Sequence, residues 1–218
     1  MTPQLRAEIQ NVLGSIGVSA PALLARGRAE KLYEVFIVSC LVRALNGIGA
    51  NVEARDSDDD PTTNLTFRYG PGLIFNPTTT PGFLVVHYHG NAYEIHTNLQ
   101  VLGSSRVLHE LDVCILDRAS AAYCRRNLIN PSAGCIHFLA ECKFYGGRLP
   151  LSIGREFVGL MSEFSLRVKT LAANNGNDDI LKMVVRHRGT TAFETSPLDM
   201  PRTDAFIGWL QKELEHAL

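Results

Sequence analysis

The chain has 218 residues, of which 45% are hydrophobic, enough for one large domain or two small ones with a well-buried core. Its 21 basic and 22 acidic residues give a formal net charge of −1. This balance excludes the global basic field with which non-specific coat proteins bind nucleic acid. It is compatible with an enzyme that contacts nucleic acid through a local patch.

The five cysteines form no CxxC pair, and Cys40, Cys114 and Cys142 lie in apolar runs, so reduced buried thiols are predicted rather than disulfides or a zinc site. The N-terminal residues contain no basic stretch followed by an apolar one, as a signal peptide would. The longest apolar run, "VFIVSCLV" (35–42), is too short to span a bilayer. We therefore expect a soluble, cytoplasmic protein with no membrane partner.

The N-terminal half is predicted to change from helical to β-rich. Thr2 is suited to cap a short first helix, and a longer helix, apolar on most of its circumference, is predicted over residues 22–49. Residues 51–82 are rich in Asp, Gly, Pro and Thr, which favours loops and turns. The alternating pattern of "FLVVHYHGNAYEIH" (83–96) then predicts a β-hairpin.

Strands and helices alternate in the C-terminal half. The predicted strands are 107–117, 135–145, 180–187 and 191–196, and the predicted helices are 118–128, 153–173 with Ser152 as its N-cap, and 203–217. This order predicts a single α/β domain over residues 1–218, with a β-hairpin-rich insertion at about residues 52–98.

Two predicted strands carry charged residues where apolar side chains would pack better. In "HELDVCILD" (109–117), strand alternation predicts one face with Glu110, Asp112 and Cys114 and the other with Leu111, Val113 and Ile115. In "FLAECKFYGG" (138–147), Glu141 and Lys143 share a face, about 7 Å apart along the strand. If the two strands pair, Asp112 and Glu141 converge on one cation.

A divalent metal explains this pattern chemically. Buried carboxylates are costly and repel each other, and a cation removes both problems. All-oxygen ligands favour Mg²⁺, or Mn²⁺ in its place, which would activate a water molecule for attack on a phosphodiester. Lys143 would orient or deprotonate this water, or offset charge on the phosphate. The alternative is an internal ion pair of Lys143 with Glu141 or Asp112, without metal.

These segments resemble, in order, those of the PD-(D/E)xK nuclease superfamily, with features of its Mrr-type branch. "KLYEVFIVSCLVRALNGIG" is similar to the first helix of the family, where Glu34 matches an acid near the metal. "HELDVCILD" resembles the central strand, with Asp112 as the metal-binding aspartate. "ECK" matches the Glu-x-Lys strand, with Glu141 as ligand and Lys143 as catalytic lysine. "LPLSIGREFVGL" resembles the entry to the next helix, which contains Arg155.

The resemblance implies a restriction-endonuclease-like core, in which a mixed central sheet is flanked by helices, with residues 52–98 outside the shared core. It implies an endonuclease that uses Mg²⁺ or Mn²⁺ and cuts DNA rather than RNA, in a defence or restriction role or in repair, as a possible homodimer. The chain departs from the literal Pro-Asp motif, because Leu111 precedes Asp112.

Supporting residues have alternative interpretations. Glu34 either faces the site or forms a solvated stripe with Glu30. Glu110 is a supporting acid or a ligand of a second metal, or it pairs with Arg106 or with the lysine of the second strand. Arg155 lies in the first predicted turn of its helix, where phosphate is attracted, but it is equally interpreted as a surface arginine.

Other polar residues are predicted to be solvated surface. The histidines have no familiar zinc spacing, so we expect polar positions on a solvated hairpin face; they are His87, His89, His96 and His109. The basic groups "CRR" (124–126), Arg148 and "RHR" (186–188) are charged surface or a local phosphate-binding rim.

Two functions of other classes stay open. A module of this fold could bind nucleic acid or a partner without catalysis. A nuclease effector could stay silent until a ligand or partner protein activates it through residues 52–98.

Overall fold

The computed structural model describes residues 2–75 and 81–218, in which helices flank a seven-stranded mixed sheet. The helices are α1 (Thr2–Ser15), α2 (Pro21–Arg26), α3 (Ala29–Gly47), α4 (Arg118–Asn127), α5 (Leu151–Ser162), α6 (Asp178–Arg186) and α7 (Met200–Ala217), with a 3-10 turn at Ala133–Cys135. The strands are β1 (Asn51–Arg55), β2 (Phe83–Tyr88), β3 (Asn91–Leu102), β4 (Leu108–Asp117), β5 (Ile136–Lys143), β6 (Val168–Ala173) and β7 (Thr190–Phe193). The predicted α/β class is confirmed.

The strands lie in the sheet in the order in which they occur in the chain. Strands β1 to β5 pair antiparallel, whereas β5, β6 and β7 pair in parallel. The predicted hairpin of β2 and β3 is confirmed, and β1 forms where a loop was predicted. Residues 52–98 thus contribute β1, β2 and part of β3 to the same sheet as the charged strands.

Each face of the sheet covers its own apolar core. The first core packs against α1, α3 and α7, and it buries almost all of α3 from Leu32 to Leu45 because helices lie on its outer side as well. The second core packs against α4, α5 and α6. Strand β5 serves both cores, since Phe138 and Ala140 lie in the first and Leu139 in the second.

The predicted helix over residues 22–49 is two helices, α2 and α3, which are separated at Gly27. The Gly27 backbone is extended, and an added Cβ would lie 2.6 Å from the Leu23 carbonyl oxygen. The chain therefore turns here at a position that only glycine fits without movement.

The predicted helix over residues 153–173 is wrong beyond α5. Helix α5 ends at Ser162, and Val168–Ala173 forms β6 between β5 and β7. A strand with neighbours on both sides and cores on both faces need not alternate polar and apolar residues, so its sequence "VKTLAA" does not exclude a helix. Ser152 is also not the N-cap, because the helix starts at Leu151 after Pro150.

The predicted strand over residues 180–187 is wrong, because residues 178–186 form α6. The Asn177 side chain caps this helix by accepting a hydrogen bond from the backbone N–H of Asp179. Ile180 and Val184, one turn apart, are buried in the second core, while Val185 is exposed. Burial of Ile180 and Val184 on one side, with Val185 exposed on the other, is the pattern of an amphipathic helix.

All five cysteines are free, and all but Cys135 are buried. Within residues 2–75 and 81–218, no helix combines the length and the apolar character needed to cross a bilayer.

Candidate active site

In both β3 and β4 the alternation of side chains between the two faces of the sheet is interrupted, and this happens at paired positions of the two strands. In β3, Ile95 packs in the first core and Leu99 in the second; in β4, Val113 packs in the first and Leu111 in the second. Asn98 lies between these positions with a φ of 50°, and such a left-handed residue interrupts the alternation of a strand. The prediction that Leu111 shares a face with Val113 is therefore wrong.

Asp112 lies opposite Asn98, at the point where β4 and β5 separate. The last backbone pair of these strands is Val113 with Ala140. One residue beyond it, Asp112 Oδ2 accepts a hydrogen bond of 2.8 Å from the backbone N–H of Cys142. The carboxylate thereby takes the place of the next backbone hydrogen bond between the strands. It is fixed at the point where β4 and β5 separate, which we call the fork of β4 and β5.

Glu141 and Lys143 extend from β5 beside this fork. Lys143 Nζ donates to Glu141 Oε1 at 2.5 Å, and both side chains are largely buried. Burial alone would lower the pKa of Lys143, but the charges of Glu141 and Asp112 raise it above its usual value. Lys143 is therefore an ammonium ion at neutral pH, and the predicted proximity of the acid and the amine is confirmed.

Glu34 reaches the same site from α3. Its side chain is buried, so it faces the cluster rather than a solvated stripe with the exposed Glu30. Lys31 Nζ lies 2.8 and 3.0 Å from the two carboxylate oxygens, and Asn98 Nδ2 lies 2.5 Å from Oε2. Helix α3 and strand β3 are thus joined by polar contacts around one carboxylate.

The acids of this cluster hold protons more tightly than free carboxyl groups. Burial, and then the charge of Asp112, raise the pKa of Glu34 and of Glu141 to about 7 each, against the opposing effect of the lysines. Burial raises the pKa of Asp112 as well, and burial and Asp112 raise that of Glu110. The site therefore has more desolvated negative charge than its lysines neutralise.

The remaining predicted site residues lie at the margin. Glu110 is partly buried and lies within electrostatic range of Asp112, Lys31 and Lys143, with no hydrogen bond to any described residue. Arg155 is exposed on α5 and has no ion pair or hydrogen bond within residues 2–75 and 81–218. The structure thus brings Glu34, Asp112, Glu141 and Lys143 together and leaves Arg155 at the surface.

Lys31 and Asn98 also belong to the cluster, and neither was predicted from the sequence. Lys31 precedes Glu34 by one helical turn, a spacing at which opposite charges pair, so this signal was present in the sequence. Asn98 is one of several polar residues in β3, and nothing in the sequence indicates which side chains its amide contacts.

A second group of charges is buried between β3 and α4. Glu94 is fully buried and accepts hydrogen bonds of 2.7 and 2.6 Å from Arg125, while His96 Nε2 lies 2.8 Å from the same carboxylate. Arg68 lies 3.2 Å from the other nitrogen of His96. The prediction that His96 is solvated is wrong, and Arg125 is tied to Glu94 rather than free to form a phosphate rim.

The first cluster offers oxygen donors from several acidic side chains. In residues 2–75 and 81–218, no group of three or more His, Cys, Asp or Glu side chains has a spacing that could already hold a metal ion. Glu34 and Glu141 are paired with lysines instead, and the amide oxygen of Asn98, which contacts Glu34, is buried without a hydrogen-bond partner among the described residues. Carboxylate and amide oxygens are the ligand types that Mg²⁺ and Mn²⁺ take, once the carboxyl groups have lost their protons.

Comparisons with known proteins give no assignment. No protein-family model matches the chain. Neither the curated proteins nor the solved structures contain a match. The function is therefore argued from the sequence pattern and from the geometry of the cluster.

Proposed function

We propose that this chain is a divalent-metal-dependent endonuclease that hydrolyses phosphodiester bonds, in DNA rather than RNA. One observation carries the proposal: Asp112, Glu141 and Lys143 meet at the fork of β4 and β5, and buried Glu34 lies beside them. These are the positions that resemble the functional residues of the PD-(D/E)xK superfamily, and they come from separate elements of the chain.

Asp112 and Glu141 would hold Mg²⁺ or Mn²⁺, with Glu34 supporting the site from α3. When bound, such an ion polarises a phosphoryl oxygen and lowers the pKa of a coordinated water. Asp112 is pre-oriented for this role by the N–H of Cys142, and Lys31 and Asn98 fix the carboxylate of Glu34.

Lys143 would act as a cation in this reaction. Its ammonium group lies beside the proposed ligands and would offset negative charge on the phosphate or orient the attacking water. Glu141 orients Lys143 through their hydrogen bond.

The proposal also covers the fold family, the biological role, the cellular location and the oligomeric state. We assign the restriction-endonuclease-like fold, a defence or restriction role and a homodimer on the resemblance, and a cytoplasmic location on the free cysteines. Glu110 would add negative charge beside the metal ligands, since it lies within electrostatic range of Asp112. Arg155 is exposed on α5 and free to contact a phosphate.

The test is cleavage of supercoiled plasmid, linear duplex, single-stranded DNA and RNA by the purified chain. We expect cutting of DNA with Mg²⁺ or Mn²⁺, none with EDTA, and a loss of about 100-fold or more in Lys143→Ala. Lys169→Ala is the matched control, because Lys169 is a partly buried lysine on the neighbouring strand β6 and should leave the rate unchanged. Equal cutting by Lys143→Ala, or no cutting of any substrate, would contradict the proposal.

The two ion pairs favour one further candidate, a non-catalytic module of the same fold. Lys31 with Glu34 and Lys143 with Glu141 already neutralise part of the charge within the protein. Such a module would bind nucleic acid or a partner equally well with Lys143→Ala. A nuclease silent in isolation would instead begin to cut when a cell extract supplies its activating ligand or partner.

A further inference from the structure

Asn98 connects the two acids that come from different elements. Its side chain is fully buried, and Nδ2 lies 2.5 Å from Glu34 Oε2 on α3 and 3.4 Å from the backbone carbonyl oxygen of Asp112 on β4. The backbone at Asn98 is left-handed, with a φ of 50°. Asparagine tolerates this conformation better than most residues, because its short polar side chain bonds locally.

The other end of the same amide is unsatisfied. Asn98 Oδ1 is buried and accepts no hydrogen bond from any described residue. The NH₂ group lies against Glu34 Oε2, so the amide turns Oδ1 away from this oxygen. A buried acceptor without a partner, at a residue with an unusual backbone conformation, indicates a functional demand at this position.

We propose that Asn98 is a residue of the divalent-cation site: its NH₂ group holds Glu34 against Asp112, and its Oδ1 supplies a neutral oxygen ligand to the ion or to a coordinated water. The inference rests on the proposed function. A neutral donor suits this position because Asn98 lies between two acidic residues, in contact with the carboxylate of Glu34 and with the backbone of Asp112. An aspartate here would bring a further carboxylate against Glu34.

Titration calorimetry with Mn²⁺ on the full chain, without nucleic acid, tests this role. Asn98→Gly keeps the left-handed backbone, which glycine adopts without strain, and removes only the amide. We expect it to bind Mn²⁺ about 10-fold more weakly or worse, as the loss of groups that support metal ligands does. The control is Leu128→Gly, at an exposed residue with a φ of 54° after α4, which should bind Mn²⁺ as the wild type does.

Further variants distinguish a failure of the inference about Asn98 from a failure of the proposed function. Asn98→Asp loses the NH₂ group that holds Glu34 but retains an oxygen, so we expect its Mn²⁺ affinity to fall less than that of Asn98→Gly; an affinity as weak as that of Asn98→Gly would overturn the ligand role. If Asp112→Asn abolishes binding while Asn98→Gly leaves it unchanged, the inference about Asn98 is wrong and the proposed function stands. If the wild type binds no Mn²⁺, the proposed function itself fails.

Discussion

Glu34 and Glu141 are acids that the fold holds away from water. Burial and the charge of Asp112 raise the pKa of each from 4.5 to about 7. Between these values the folded chain binds more protons than the unfolded chain, so folding is favoured at the acidic end of this range. The contribution of each acid to stability is therefore lost as the pH rises from 4.5 to about 7.

Replacement of Glu34 by Gln removes this pH dependence. Relative to the wild type, we expect the free energy of unfolding of Glu34→Gln to rise by up to about 3 kcal/mol between about pH 5 and about pH 8, in EDTA. Urea unfolding at the two pH values measures the difference. Glu30→Gln is the control on the same helix, because Glu30 is exposed, and its profile should follow the wild type. Parallel profiles for Glu34→Gln and the wild type would contradict this explanation.

Strand β3 and helix α4 are joined by the buried Glu94, which has hydrogen bonds to Arg125 and His96. Burial opposes ionisation, but these partners lower the pKa of Glu94 to about 2, so it is ionised at neutral pH. Removing one member of a buried ion pair leaves the other charge without compensation. The network is therefore important for stability whether or not it contributes to function.

Glu94→Ala should lower the free energy of unfolding by about 3–5 kcal/mol at neutral pH, because Arg125 would stay buried without its partner. Denaturant unfolding measures the loss. Glu53→Ala is the matched control on β1, since Glu53 pairs with Arg55 in a solvent-exposed setting and should cost less than about 1 kcal/mol. Similar losses in the two variants would show that the Glu94 network is no stronger than a surface ion pair.

The sequence predicts elements well where the pattern is long or regular, and the strands β4 and β5 were predicted for this reason. It fails for β6 and α6, because short segments without clear periodicity fit a buried strand and a helix equally well. The change of faces in β4 was also missed, since it follows from the left-handed Asn98 on the neighbouring strand. Asn98 itself was missed because its role depends on contacts with α3 and β4, which are distant in the chain.

The whole molecule brings these residues together through its mixed sheet. The antiparallel strand β4 leaves β5 at Asp112, and β5 continues to Lys143 in pairing with the parallel strand β6. Helix α3, in the first core, places Glu34 over the same fork. Burial of these acids therefore lowers the stability of the folded chain, and a divalent cation would offset this loss.

Divalent cations should accordingly stabilise the folded chain, and more at about pH 8 than at about pH 6, because Glu34 and Glu141 must lose protons to bind an ion. At 100 times its dissociation constant, Mn²⁺ should add about 2.7 kcal/mol, which is a shift of several degrees in melting temperature. Thermal unfolding with and without EDTA measures the shift. Asp112→Asn should show little of it, and an equal shift in this variant would place the ion elsewhere.

The proposed function requires a divalent cation at the fork of β4 and β5. Diffraction from crystals soaked in Mn²⁺ at about pH 8, with data collected at the manganese absorption edge, shows whether the ion binds there. We expect an anomalous peak about 2 to 2.6 Å from carboxylate oxygens of both Asp112 and Glu141. Absence of a peak at the fork, with the ion pair of Lys143 and Glu141 unchanged, would contradict it.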